Sequence, residues 1–116
     1  MMDPRESRDS LDDIRQAAQK AVAFVHGMTY EMFVADDRTV FAVVRALEIV
    51  GEATKRIPPL IRDRYSEVPW RSMAGIRDKL IHDYVRVNLE VVWRTVTEDL
   101  PALLPMIQRV LDELPD

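Results

Sequence analysis

An all-α fold, a bundle of four to five helices, is what the sequence predicts, on three observations. Apolar residues recur at three- and four-residue steps through most of the chain, the period of a helix with one buried face. Apolar side chains make up 47% of the 116 residues and charged ones 31%, the balance of a globular chain that buries a core in water. Only three glycines, three tyrosines and three phenylalanines occur, which favours helices over sheets. One domain, 1–116, is expected at this length, with residues 1–8 as a flexible N-terminal tail.

The first helix is expected over residues 9–25, with Asp9 or Ser10 as N-cap and Leu11, Ile14, Ala18, Ala21, Val22 and Val25 on one face. Gly27 is a natural stop after it, and His26 in the last turn suits the helix dipole, so His26 reads as a surface residue and not a catalytic one. Residues 29–34 allow a short helical turn that folds Tyr30 and Phe33 onto the bundle. Asp36 or Asp37 caps a second long helix, which runs to about residue 56, ahead of Pro58-Pro59. Its apolar stripe is Val40, Phe41, Val44, Leu47, Val50 and Thr54. Gly51 inside this helix costs about 1 kcal/mol against alanine, which suggests a close approach by another helix. Glu48 and Glu52 lie one turn apart with Arg45, Lys55 and Arg56 in reach, the pattern of a solvated ion-pair face.

Residues 58–69 form a connector, and Pro69 falls in the first turn of a helix carrying Trp70, Met73, Ile76 and Leu80. Asn88 is a good N-cap for the last helical region, where Leu89, Val92, Trp93, Val96 and Leu100 share a face. Pro101 and Pro105 interrupt it: either the C-terminal helix kinks, or a second helix starts near Pro101 and carries Leu104, Ile107, Val110, Leu111 and Leu114.

Composition removes several function classes. No cysteine is present, which excludes disulfides and thiolate metal sites, and two histidines offer little for a histidine metal cluster, so no cofactor is expected. Residues 1–13 are polar and acidic, and no run approaches eighteen apolar residues, so neither a signal peptide nor a membrane partner is expected and the location reads as cytoplasmic. The formal charge of −4 divides unevenly: residues 1–37 and 95–116 are each −4, whereas residues 38–94 are +4. A folded bundle can therefore present a basic cleft despite its acidic total.

The densest chemistry lies in the basic part, at Gly75-Ile76-Arg77-Asp78-Lys79-Leu80-Ile81-His82-Asp83-Tyr84. Arg77 can grip a phosphate with two parallel N–H donors, and a histidine such as His82 exchanges a proton near neutral pH. At 100° per residue, Arg77 and Tyr84 share a helical face, but His82 falls about 140° from Arg77. One straight helix thus makes an incomplete site. Either the helix loosens near His82, or two copies meet and each completes the other.

This Arg-x4-His-x-Tyr spacing resembles the RX4HXY motif of HEPN-domain ribonuclease toxins, specifically the HepT-like family. Pro69-Trp70, the helix segment at residues 45–52, Val92-Trp93 and Leu100-Pro101 resemble that family's landmarks in the same order and span nearly the whole chain. The resemblance implies a homodimeric RNA endonuclease of the HEPN bundle fold, with motifs from two subunits lining one cleft. Arg77 and His82 would be catalytic, with Asp78, Lys79 and Tyr84 binding substrate or supporting them. It also implies a type II toxin–antitoxin system whose partner is an MntA-like minimal nucleotidyltransferase that can transfer AMP to Tyr84. The rival reading is a non-catalytic helical dimer that binds a nucleotidyltransferase, a nucleotide or nucleic acid. Arg77 and His82 discriminate, because a scaffold has no need of that pair.

Overall fold

The computed structural model of the chain describes residues 4–80 and 87–115. Within them the chain is helical with no strand, and four long units form the bundle: α1 (Pro4–Phe24), α3 (Asp37–Lys55), α5 and α6 (Trp70–Ala74 and Ile76–Leu80), and α7 and α8 (Leu89–Arg94 and Leu100–Glu113). The short helices α2 (Tyr30–Ala35) and α4 (Pro59–Arg64) connect them. Leu11 and Ile14 of α1, Leu47 and Val50 of α3, Leu80 of α6, Val92 of α7 and Ile107 of α8 meet in one core. No helix among the described residues is long and apolar enough to cross a membrane.

α1 begins at Pro4, five residues before the expected start, so residues 4–8 belong to the helix and not to a flexible tail. Ser10 is then no N-cap: it is 4% exposed and Ser7 is 2% exposed, both inside the bundle. Ser7, Leu11, Ile14 and Ala18 continue one helical stripe whose first member is small and polar, which hides it from an apolar count. Arg8 Nη1 donates to the Leu111 carbonyl at 2.9 Å and ties the new first turns to α8. At the other end Gly27, at φ 78°, turns the chain out of the helix as expected.

Thr29 Oγ1 accepts from Met32 N–H and caps α2, which lays Tyr30 and Phe33 against Trp93, with ring centroids 6.0 and 5.3 Å apart. Asp36 caps α3, accepting from Thr39 N–H at 3.2 Å and Thr39 Oγ1 at 2.9 Å. The Thr39 amide in particular holds the Asp36 carboxyl below the usual carboxylate range. Phe41 does not join the α3 stripe; it is 76% exposed. Arg62 of α4 closes the far end of α3 by donating to the carbonyls of Thr54 (2.8 Å) and Ile57 (3.0 Å), the first of which also accepts from Ile57 N–H.

The interruption expected at the C-terminal prolines takes the form of a π turn over Thr95–Asp99, between α7 and α8, in which Leu100 N–H bonds to the Thr95 carbonyl five residues back. Pro101 has no N–H to donate, so the α-helical ladder cannot pass through it unchanged. Two threonine hydroxyls bond within the same segment: Thr95 Oγ1 donates to the Val91 carbonyl at 2.7 Å and Thr97 Oγ1 to the Trp93 carbonyl at 2.6 Å. Pro105 is carried inside α8 on its exposed side.

Candidate functional site

α5 and α6 are nearly one helix, parted at Gly75, which has φ −91° and ψ 12°. Trp70, Met73, Ile76 and Leu80 form the buried stripe of the pair. Pro69 precedes it, and Trp70 Nε1 donates to the Tyr65 carbonyl at 3.0 Å, fixing where the stripe starts. The close approach suggested by Gly51 is present: a Cβ there would lie 2.8 Å from Ile76 Cγ2 and 3.5 Å from the Met73 carbonyl oxygen. A bare backbone at Gly51 thus sets the distance between α3 and the helix that carries Arg77.

Arg77 is exposed and makes no hydrogen bond or ion pair with any described residue. Asp78, next along the helix, is also exposed, and no hydrogen bond joins the two. Lys79 leaves on the opposite flank of the stripe and donates to Ser72 Oγ at 2.6 Å. The three sequence-selected residues of α6 therefore spread around its outer surface, and only Arg77 lies beside the stripe on its own side.

His82 and Tyr84 lie outside the described residues. What the structure describes is the frame on either side of them. Asn88 N–H donates to the Leu80 carbonyl at 2.8 Å, so the chain returns beside the point where α6 ends. Asn88 then caps α7, its side chain accepting from Val91 N–H at 3.2 Å.

The crossing at Gly51 also sorts the flanks of α3. Val50 shares a cleft with Lys79 and Ser72, which leaves Glu48, Glu52 and Phe41 on the Arg77 side of the crossing. Glu52 is paired with Lys55 at 3.3 Å, both exposed, in keeping with a solvated ion-pair face. α2, joined to the start of α3 at Asp36, touches α7, and α7 touches α6, so the end of α6 and the start of α3 share one end of the molecule. Exposed apolar residues gather at the start of α3 and on α2: Phe41, Met32 at 52% and Val34 at 38%.

An exposed guanidinium with no partner among the described residues can take an external anion, and a phosphate matches it in geometry and charge. Two features of this region were not foreseen from sequence. The π turn gives little local signal beyond Pro101 and the threonines near it. The second, a cleft between α5–α6 and the π turn, depends on packing between distant segments.

A family model described as Ribonuclease HepT-like matches residues 14–110. Among curated relatives, a protein of Thermococcus cleftensis named as a probable ribonuclease HepT is 48% identical over 99 residues, covering 85% of this chain and 90% of its own length. A protein of Caldanaerobacter subterraneus subsp. tengcongensis, named as a candidate RNase, is 40% identical over 106 residues, or 91% of this chain and 95% of its own. One from Methanocaldococcus jannaschii, named in the same way, is 35% identical over 113 residues, or 97% of this chain and 93% of its own. No solved structure matches the chain.

Proposed function

The chain belongs to the HepT-like ribonuclease family, and on that premise we propose that it is the toxin of a type II toxin–antitoxin pair, a metal-independent endoribonuclease acting as a homodimer. The observation that carries the reading is Arg77: an exposed guanidinium, unpartnered among the described residues, on a helix whose distance from α3 is set at Gly51, five residues before His82 in sequence.

The chemistry needs three services. One group must take the proton from the ribose 2′-hydroxyl, one must steady the negative charge on the five-coordinate phosphorus, and one must protonate the departing 5′-oxygen. Arg77 holds the phosphate. One His82, neutral, takes the 2′ proton as O2′ attacks phosphorus; the partner subunit's His82, protonated, gives a proton to O5′ as the P–O5′ bond breaks. The products are a 2′,3′-cyclic phosphate and a 5′-hydroxyl. Histidine suits both roles because its unperturbed pKa is about 6.5. Asp78 supports this site, Lys79 binds the substrate strand from the other flank of the helix, and Tyr84 contacts the substrate by hydrogen bonding or stacking.

Dimerisation has support in the exposed apolar side chains at the motif end of the molecule, Phe41 above all. An MntA-like minimal nucleotidyltransferase is the antitoxin in this reading. AMP on Tyr84 would set bulk and negative charge where substrate phosphate binds and so silence the enzyme. Purified protein should cut cellular RNA, with cleavage and toxicity lost in Arg77→Ala and His82→Ala. Wild-type protein that leaves RNA intact, with toxicity unchanged in both variants, would sink the reading. Mass spectrometry after co-expression tests the modification separately: an inhibited complex with unmodified Tyr84 would mean occlusion instead.

A further inference from the structure

On the flank of α5–α6 away from Arg77, a cleft of about 290 Å³ opens between that helix pair, the π turn and α8. Met73, Leu103 and Met106 are among the apolar residues that line it. Ser72 and Lys79 line it from α5–α6, while Glu98 and Asp99 come from the π turn. Lys79 is tied to Ser72 and forms no ion pair with either carboxylate. Two carboxyl groups with no ion-pair partner among the described residues therefore border an apolar slot. π turns of this kind recur at functional sites. The volume sits at the low end of small-ligand pockets, enough for one planar base and too little for a helix. Beyond Lys79 a second groove continues along Arg71 and Arg62, sharing Ser72 and Lys79 with the first.

We infer that this cleft is a base-reading subsite for an unpaired nucleotide that carries an exocyclic amino group, cytosine or adenine, on the RNA strand whose phosphates follow Lys79 and Arg71. The inference rests on RNA being the substrate, and it adds a preference that the Arg77 site does not supply. The ring lies against the methionines, whose sulfurs favour aromatic edges, and its amino group donates to Glu98 or Asp99. Uracil turns a carbonyl oxygen toward those carboxylates and is disfavoured. The thickness of a helix, about 10–12 Å, separates this slot from Arg77, so the base read here lies a short way along the strand from the cut.

The test uses the full chain and fluorescein-labelled 2′-O-methyl octamers of C, A and U, which lack the attacking hydroxyl, followed by anisotropy. C and A octamers should bind about tenfold tighter than U, the discrimination expected of one good base contact. Glu98→Gln with Asp99→Asn should bring the three affinities together. Ala102→Trp, an exposed position on the cleft wall, should weaken C and A binding to the level of U. Urea midpoints matching wild type establish that each variant folds. Equal affinity for C and U in wild type, or a preference that survives Ala102→Trp, overturns the inference. Free CMP binding as tightly as the octamer overturns the assignment to a strand. If Ala102→Trp spares RNA binding but breaks association with the nucleotidyltransferase, the cleft docks protein and the inference falls. Cleavage of unmodified RNA by the same preparation reports separately on the ribonuclease: protein that cuts RNA without base preference refutes only the subsite, and selective binding without cutting refutes only the cleavage reading.

Discussion

Replacing Gly51 with alanine probes how the position of Arg77 is set. The new Cβ would stand 2.8 Å from Ile76 Cγ2, whereas carbon atoms settle at about 3.5–4.0 Å. Ile76 cannot simply swing away, because a β-branched side chain in a helix has one strongly favoured χ1 and Ile76 is only 6% exposed. The helices must therefore part by about 0.7–1.2 Å, the shortfall in that contact. Overpacking of this kind costs about 1–3 kcal/mol, and alanine returns about 1 kcal/mol of helix propensity, so the expected net loss is about 0–2 kcal/mol.

Activity should suffer more than stability, since a displacement of about 1 Å at a reacting group can cost on the order of 10²-fold in rate. Ile76→Leu removes the Cγ2 branch and by itself costs less than about 1.5 kcal/mol. Combined with Gly51→Ala it should recover at least about 0.5 kcal/mol of coupling and most of the cleavage. Urea unfolding measures the first quantity and initial rates on a labelled RNA the second. A Gly51→Ala protein that is more stable by the full propensity gain, cuts RNA at the wild-type rate and shows no coupling to Ile76 would refute the close-contact argument.

Other outcomes follow from separate parts of the structure. Asn88→Ala removes the α7 cap and should cost about 1 kcal/mol in urea unfolding with an unchanged slope against denaturant. Phe41→Glu, at a side chain 76% exposed, should leave the monomer folded but shift light-scattering mass from dimer to monomer; an unchanged mass would remove this face from the interface. Arg15 beside Asp12, Thr39 beside Asp36 and Arg109 beside Glu113 hold these carboxyls below their ordinary range when folded. Their contribution is thus complete above the unfolded carboxyl values and is lost as pH falls through the lower folded ones, so thermal midpoints should stay level near neutrality and drop below about pH 4. Asp36→Asn, which keeps a capping oxygen, should make that acid slope shallower.

Features written in one residue's own chemistry were legible in the sequence. Asp36 and Asn88 cap helices because their side chains reach their own backbone, and Gly27 stops α1 because it accepts φ 78°. Gly51 was legible as an anomaly, a poor helix former that only a neighbour could justify. What depends on a distant partner was hidden. Ser7 and Ser10 are polar yet buried inside the bundle, while Phe41, about 180° around the helix from Val50, is exposed. The site divides in the same way. The spacing from Arg77 to Tyr84 is a local signal, whereas the cleft at Glu98 and Asp99 arises from segments some twenty residues apart.

Some arginines of this chain are committed to structure, and Arg77 is not one of them. Arg62 closes α3 with two carbonyl bonds, Arg15 bonds Asp12, and Arg109 reaches both Glu67 and Glu113. Each holds structure with donors already occupied, so an incoming phosphate would have to displace a partner. Arg77 has no such partner among the described residues, a property it shares with Arg38, Arg45, Arg56, Arg71 and Arg94; what sets it apart is its place five residues before His82 on the helix spaced by Gly51. Leaving it unpaired sacrifices little, because an exposed ion pair contributes only about 0–1 kcal/mol. Pre-pairing it would require that bond to break in every catalytic cycle. A cation that does little for folding thus stands on a helix whose distance from α3 is set at Gly51, and the proposed reading uses it to hold a phosphate.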